Sequence, residues 1–323
     1  MTKTARVDAS LFGKTADRTP VSAWWHDYAR EWSAAKLAEA TLEYYRTYGW
    51  DYIKVNPRFS YYAEDWGATY RRYDDRMPEI DKPAVSSAED LHKIEPLDVT
   101  RGAYGEQLEG LRLIADALGG EAPFIQTVFS PLAVMTRLTG STKYVQKLIR
   151  EAPDDLEAAL EPVTQTLAAY SKACLDTGAS GIFYAAVEWG SSDFISWADY
   201  ERFGKPFDTR VLAAVNGAPL NVLHVCRERN HLLKMLDYDV AAFNWDVWGE
   251  GNPTFTDVLA RTRKSVIGGV RVGTLMEHEA ADAIVEANKA QAEASVRLLL
   301  APGCSIDPAT PPANLHAMVG AAA

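Results

Sequence analysis

Eight short runs rich in Val, Ile, Leu, Phe and Tyr recur along the 323 residues, most of them separated by segments of helical character. They fall at 21–25, 52–55, 124–128, 181–187, 220–225, 241–245, 265–270 and 296–300. Several are apolar on both faces, as parallel strands covered on both sides tend to be. Between them lie stretches such as 31–49, 156–178 and 280–294, where apolar residues recur every three or four positions among Ala, Glu, Lys and Arg. Gly49 and Gly178 follow two of these stretches and act as stop signals before the next strand. Strand and helix alternating eight times predicts a closed (β/α)8 barrel, an α/β fold of the TIM type. An open doubly wound sheet would need a glycine-rich phosphate loop after its first strand; here that place reads His26-Asp27-Tyr28-Ala29-Arg30.

No repeat, low-complexity tract or linker interrupts the chain, so residues 1–323 are expected to form one domain. The segment 59–121 is long for a single crossover. Its polar and aromatic patch (Tyr61, Tyr62, Trp66, Tyr70, Arg71, Arg72, Tyr73) predicts a lid or an added hairpin over the barrel mouth. A net charge of −11 argues against nucleic acid as a partner, because phosphate binding needs a basic face, and against an anionic membrane surface. The richest apolar run, 296–301, is interrupted by Arg297 and too short to span a bilayer, and the first 18 residues are polar and charged, unlike a secretory signal. Three cysteines in a chain of this length do not make a disulfide framework. The expectation is a cytoplasmic enzyme whose thiols stay reduced.

In such a barrel the chemistry sits at the C-terminal ends of the strands. Those ends carry His26, Asn56, the 126–130 segment, Glu188, His224 with Cys226, the 244–246 segment and Cys304. Residues two apart in an extended segment point the same way, so His224 and Cys226 can both face the mouth, and Cys304 comes to that mouth from the last strand. One imidazole and two thiolates suit zinc, and three protein ligands leave a fourth position open, the mark of a catalytic site. Isolated cysteines are more often core residues, and Cys174, in the helix before the 181–187 strand, reads as one. Glu188 and Asp246 are candidates for a displaceable fourth ligand or for polar residues of the mouth. His26 could touch substrate or shuttle a proton. Asn56, Arg58 and Tyr184 are candidate binding residues; Arg58 and Arg30 could take a substrate acid group or pair with Asp27 and Glu64. His92, His231 and His316 read as surface residues on helices, and Trp24–Trp25 as barrel packing.

Two stretches carry a family resemblance: Leu-Ala-Pro-Gly-Cys-Ser-Ile-Asp-Pro-Ala-Thr-Pro-Pro-Ala-Asn-Leu over 300–315, and Ile-Ser-Trp-Ala-Asp-Tyr-Glu-Arg-Phe over 195–203 followed by Lys205-Pro206-Phe207. With them the chain resembles the uroporphyrinogen decarboxylase superfamily over nearly its whole length. The decarboxylase branch carries an arginine-rich segment after the first strand and an aspartate after the second. Here the first keeps only Arg30, and the second reads Asn56-Pro57-Arg58. The corrinoid-dependent methyltransferase branch carries an H-x-C…C zinc pattern, and His224, Cys226 and Cys304 match it. The resemblance implies zinc and a cobalamin (corrinoid) methyl donor, free or on a corrinoid protein, a small-molecule thiol acceptor, and a fold whose members often dimerise. A thiolate attacking the methyl group would leave cob(I)alamin. The readings that stay open beside it are a metal-free decarboxylase and a zinc- or corrinoid-binding accessory protein without turnover.

Overall fold

The computed structural model describes residues 1–322. Among the described residues there are nine strands: β1 (Ile53–Val55), β2 (Thr69–Arg71), β3 (Glu79–Lys82), β4 (Phe124–Phe129), β5 (Gly181–Val187), β6 (Val222–Val225), β7 (Ala242–Asn244), β8 (Ser265–Val270) and β9 (Leu298–Pro302). Seven of them form one all-parallel sheet in the order β1-β4-β5-β6-β7-β8-β9, and β2 pairs with β3 in a separate antiparallel hairpin. Helices fill most of the crossovers, the longest being Pro153–Asp176. Among the described residues no helix is long and apolar enough to cross a membrane.

The strand expected at 21–25 is reduced to a single bridge from Val21 to Leu300. The reason is visible in its hydrogen bonds. Leu300 N donates to Pro20 O and Ser22 N to Leu300 O on one side, and Asp51 N donates to Val21 O on the other. The Val21 amide is satisfied not by a strand but by the buried carboxylate of Asp51, 2.9 Å away. That carboxylate also accepts from Arg6 at 2.6 Å and from Arg18 at 2.7 and 2.9 Å. Three residues, pinned by one charge cluster, thus join the two edges of the seven-stranded sheet, and Trp25 turns away to pack on Tyr44, Tyr48 and Trp50.

Alternate strand residues go to opposite faces. Leu223, Val225, Phe243 and Val266 pack outward under the helices. Tyr52, Ile125, Phe183, Val222, Ala242, Ile267 and Leu299 meet in a second apolar cluster inside the curl of the sheet. Continuing that inner parity by two residues brings Lys54, His224 and Asn244 to the C-terminal end of the interior. The aromatic patch at 61–73 splits: Tyr61 and Tyr62 are fully buried on a short helix, while Tyr70 and Arg71 lie on the expected hairpin.

Candidate metal centre

His224 and Cys226 stand at the end of β6, and Cys304 follows β9 in the turn after Pro302-Gly303. A ligand atom from each lies within 4.8 Å of the other two, and among the described residues this is the group of His, Cys, Asp and Glu donors able to share an ion. The Cys226 and Cys304 sulfurs are 3.7 Å apart, and Cys304 Sγ is 3.8 Å from His224 Nε2. Both cysteines are free, and 3.7 Å is far beyond a disulfide. Zinc–sulfur bonds of about 2.3 Å and zinc–nitrogen bonds of about 2.0–2.1 Å at tetrahedral angles put the sulfurs about 3.8 Å apart and sulfur and nitrogen about 3.6 Å apart. Cys304 already stands at that spacing from both Cys226 and His224, with all three donors within 4.8 Å, so the residues fit the metal.

Asn244, two residues beyond Ala242 on β7, fixes the imidazole. Its amide nitrogen donates to Ile267 O at 2.9 Å and lies 3.4 Å from Pro302 O, so its oxygen must face His224, whose Nδ1 donates to it at 2.6 Å. That leaves Nε2 unprotonated on the side of the cysteines. The hydrogen bond from Cys226 holds the Cys304 thiol well below its ordinary value, with His224 adding to the effect, and Cys226 is raised in turn. Gly303 is required for space: a Cβ there would stand 2.6 Å from Asp246 Cα.

The three ligands open on a cleft of about 630 Å³, the size of a small-molecule pocket. His26 lines it, with Nδ1 held 2.7 Å from Glu31 Oε2 and its ring stacked on Tyr28. Glu188 lines it too, delivered by a strained step: Val187 sits at φ +52°, and the β5–β6 register shifts between Ala185 and Val187. Asn56 lines it, accepting from Lys54 through Oδ1, while its amide nitrogen is buried without a partner. Asp246 lies near Cys304, raised above the usual carboxylate range mainly by burial, but it and Glu188 stand outside the ligand group.

Three expectations are corrected. Arg58 is buried away from the cleft, its guanidinium donating to Glu64 at 2.9 Å and to Glu106 at 3.0 and 3.1 Å, so no charge is left for a ligand. Tyr184 has the outward parity of β5 and donates to Asp208 at 2.6 Å, under the helices. His231 is buried, its Nε2 3.1 Å from Ile195 O, whereas His92 and His316 are exposed as expected. Cys174 is fully buried in its helix.

The sequence reading missed two residues. Lys54 is a buried cation inside the curl of the sheet, over the Phe183 ring at 4.9 Å; burial pulls it down to about 7, against the pull of Cys304. Arg137 reaches the cleft from the helix Pro131–Thr139. In each case one charge interrupts an apolar run, a signal that was present in the sequence.

The family model for uroporphyrinogen decarboxylase (URO-D) matches residues 3–323, and the chain belongs to that family. It is 25% identical to the methylcobamide:CoM methyltransferase MtbA of Methanosarcina acetivorans, over 97% of this chain and 92% of that one. The MtaA enzyme of Methanosarcina barkeri is 23% identical, over 98% and 96% of the two chains. A solved methyltransferase from Methanosarcina mazei shares the fold, with a TM-score of 0.82 at 23% identity over 99% of this chain and 98% of that one.

Proposed function

We propose that this member of the family is a zinc-dependent methyltransferase, on a single-domain (β/α)8 barrel, that moves a methyl group from a corrinoid to a thiol. The observation that carries the reading is the spacing of the three donors: a buried imidazole with its tautomer set by Asn244, and two sulfurs 3.7 Å apart at one end of the barrel interior. Support comes from relatives that are methylcobamide:CoM methyltransferases. Zinc held by His224, Cys226 and Cys304 would supply Lewis acidity that keeps a bound thiol in its reactive thiolate form at neutral pH.

The surrounding residues have roles that follow from their contacts. With two cysteine thiolates cancelling the charge of zinc, Lys54 would offset the one negative charge that a bound substrate sulfur adds in a low-dielectric interior. His26, its Nδ1 tied to the buried Glu31, turns Nε2 to the cleft, where it can take the proton that the thiol gives up. The corrinoid, free or carried by a partner protein, would meet the sulfur at the open mouth. Two arginines that a decarboxylase would use on a substrate with many carboxylates are committed to protein acids. Arg30 is held by Asp27 and Glu43, and Arg58 by two glutamates.

The test is methyl transfer from methylcobalamin to thiols by the zinc-reconstituted protein, followed anaerobically through cob(I)alamin absorbance and by mass of the thioether. Product that depends on zinc and disappears in Cys226→Ser is expected. A protein that holds zinc yet methylates no thiol would reduce it to a binding protein, and zinc-free decarboxylation of uroporphyrinogen would overturn the reading.

A further inference from the structure

Beside the metal ligands the cleft holds an ion pair that does not close. Arg137 Nη2 stands 3.6 Å from Glu188 Oε2, beyond hydrogen-bond distance. Open pairs occur elsewhere on the exposed surface, as Arg229–Glu228 at 3.6 Å and Arg76–Asp75 at 3.7 Å, but the largely buried Arg58 closes on Glu64 at 2.9 Å through both oxygens. The Arg137 guanidinium is held over the rings of Phe59 at 5.1 Å and Phe129 at 5.4 Å, and its Nε is buried with no partner. Glu188 is 7% exposed; its other oxygen accepts from Thr142 at 3.2 Å, its only hydrogen bond. A largely buried cation and a nearly desolvated anion, each with unused capacity, therefore face the same cleft side by side.

We infer, resting on the methyltransferase reading, that the acceptor is an α-amino acid thiol whose carboxylate is taken by Arg137 and whose ammonium is taken by Glu188. The spacing agrees. Val187 pairs with Val225, so Glu188, in the turn just past β5, and Cys226, just past β6, leave adjacent strands at the same end of the sheet, where neighbouring strands are about 4.8 Å apart. A sulfur at the metal and an ammonium at Glu188 are then separated by a short carbon chain, as in homocysteine. A simple acid thiol would pair with Arg137 but bring its negative charge against Glu188, which selects against it. The strained backbone at Val187 is what sets Glu188 at this depth.

Titration calorimetry on the zinc-loaded protein tests this with three probes: L-homocysteine, its deamino analogue 4-mercaptobutyrate, and 2-mercaptoethanesulfonate. L-Homocysteine is expected to bind about 10- to 100-fold more tightly than the other two, the value of one lost hydrogen bond to a charged group. Glu188→Gln should abolish that preference without weakening 4-mercaptobutyrate, and Arg137→Gln should weaken both acids. The wild-type comparison needs no variant to fold. Equal or tighter binding of the thiols without ammonium, or an equal loss for all three in Glu188→Gln, overturns the inference. If 2-mercaptoethanesulfonate binds best and is methylated, this inference falls and the methyltransferase reading stands; if no thiol binds, both fall.

Discussion

Asn244 carries no charge and touches no substrate, yet it decides which nitrogen of His224 is free. Asn244→Ala should cut zinc affinity by about 10- to 100-fold, the usual cost of losing a group that orients a metal ligand. Competition with a chelator measures this, and unchanged affinity would contradict the orienting role. At this scale the three donors that the structure groups are legible because two of them are two residues apart at a strand end. Tyr184 was misplaced because the alternation of β5 does not say which parity faces inward; Phe183 and Ala185 took the inner face. Its actual partner sets a second prediction. Asp208 is buried and accepts hydrogen bonds from Tyr184, Tyr200 and Tyr238, and burial raises its carboxyl to about 6. The folded state then keeps a proton that the unfolded chain releases, so stability from this group is full below about pH 4 and lost as pH rises through about 6. Relative to Asp208→Asn, the wild type should lose up to about 3 kcal/mol between those values. Urea denaturation across the range measures it, and a constant difference would refute the assignment.

Elements were legible wherever a run was long and periodic, as for β5, β8 and the helix Pro153–Asp176. The run at 21–25 misled because its pairing is made by the Asp51 side chain and two short contacts rather than by a ladder, which no periodicity records. Of the lid or hairpin expected in the crossover after β1, the hairpin β2–β3 is present, but Tyr61 and Tyr62 belong to the core, where both hydroxyls donate to Thr127 O. The turn from β9 to Cys304 depends on space rather than on backbone freedom. Gly303→Ala drives a Cβ into the Asp246 backbone at 2.6 Å. A loss of about 1–3 kcal/mol in urea unfolding is expected, with reduced zinc content. Full stability with full zinc would show that the turn can move aside.

At the scale of the whole molecule, β6 and β9 are separated in the sheet by β7 and β8, which in a flat sheet would put them about 14 Å apart. Only the curl of the sheet brings Cys304 to 3.8 Å from His224. That curl is held at the seam by Asp51, buried among Arg6, Arg18 and the Val21 amide. Asp51→Ala leaves the Val21 amide without its acceptor, Arg18 without a carboxylate and Arg6 with Asp17 alone, and should cost about 2–4 kcal/mol by urea unfolding; a loss below about 1 kcal/mol would mean that the seam closes without it. The eightfold alternation in the sequence pointed to such a curl, but the charge cluster that fastens it joins residues 6, 18 and 51, too far apart in the chain for local pattern to link them. Closure of the curl brings the three proposed zinc donors together, and metal content by elemental analysis of the wild type and of Cys304→Ser after reconstitution reads out whether they hold the ion. About one zinc per chain in the wild type and much less in the variant is the predicted result. A wild type that takes up no zinc, or a variant that keeps it in full, would contradict the account.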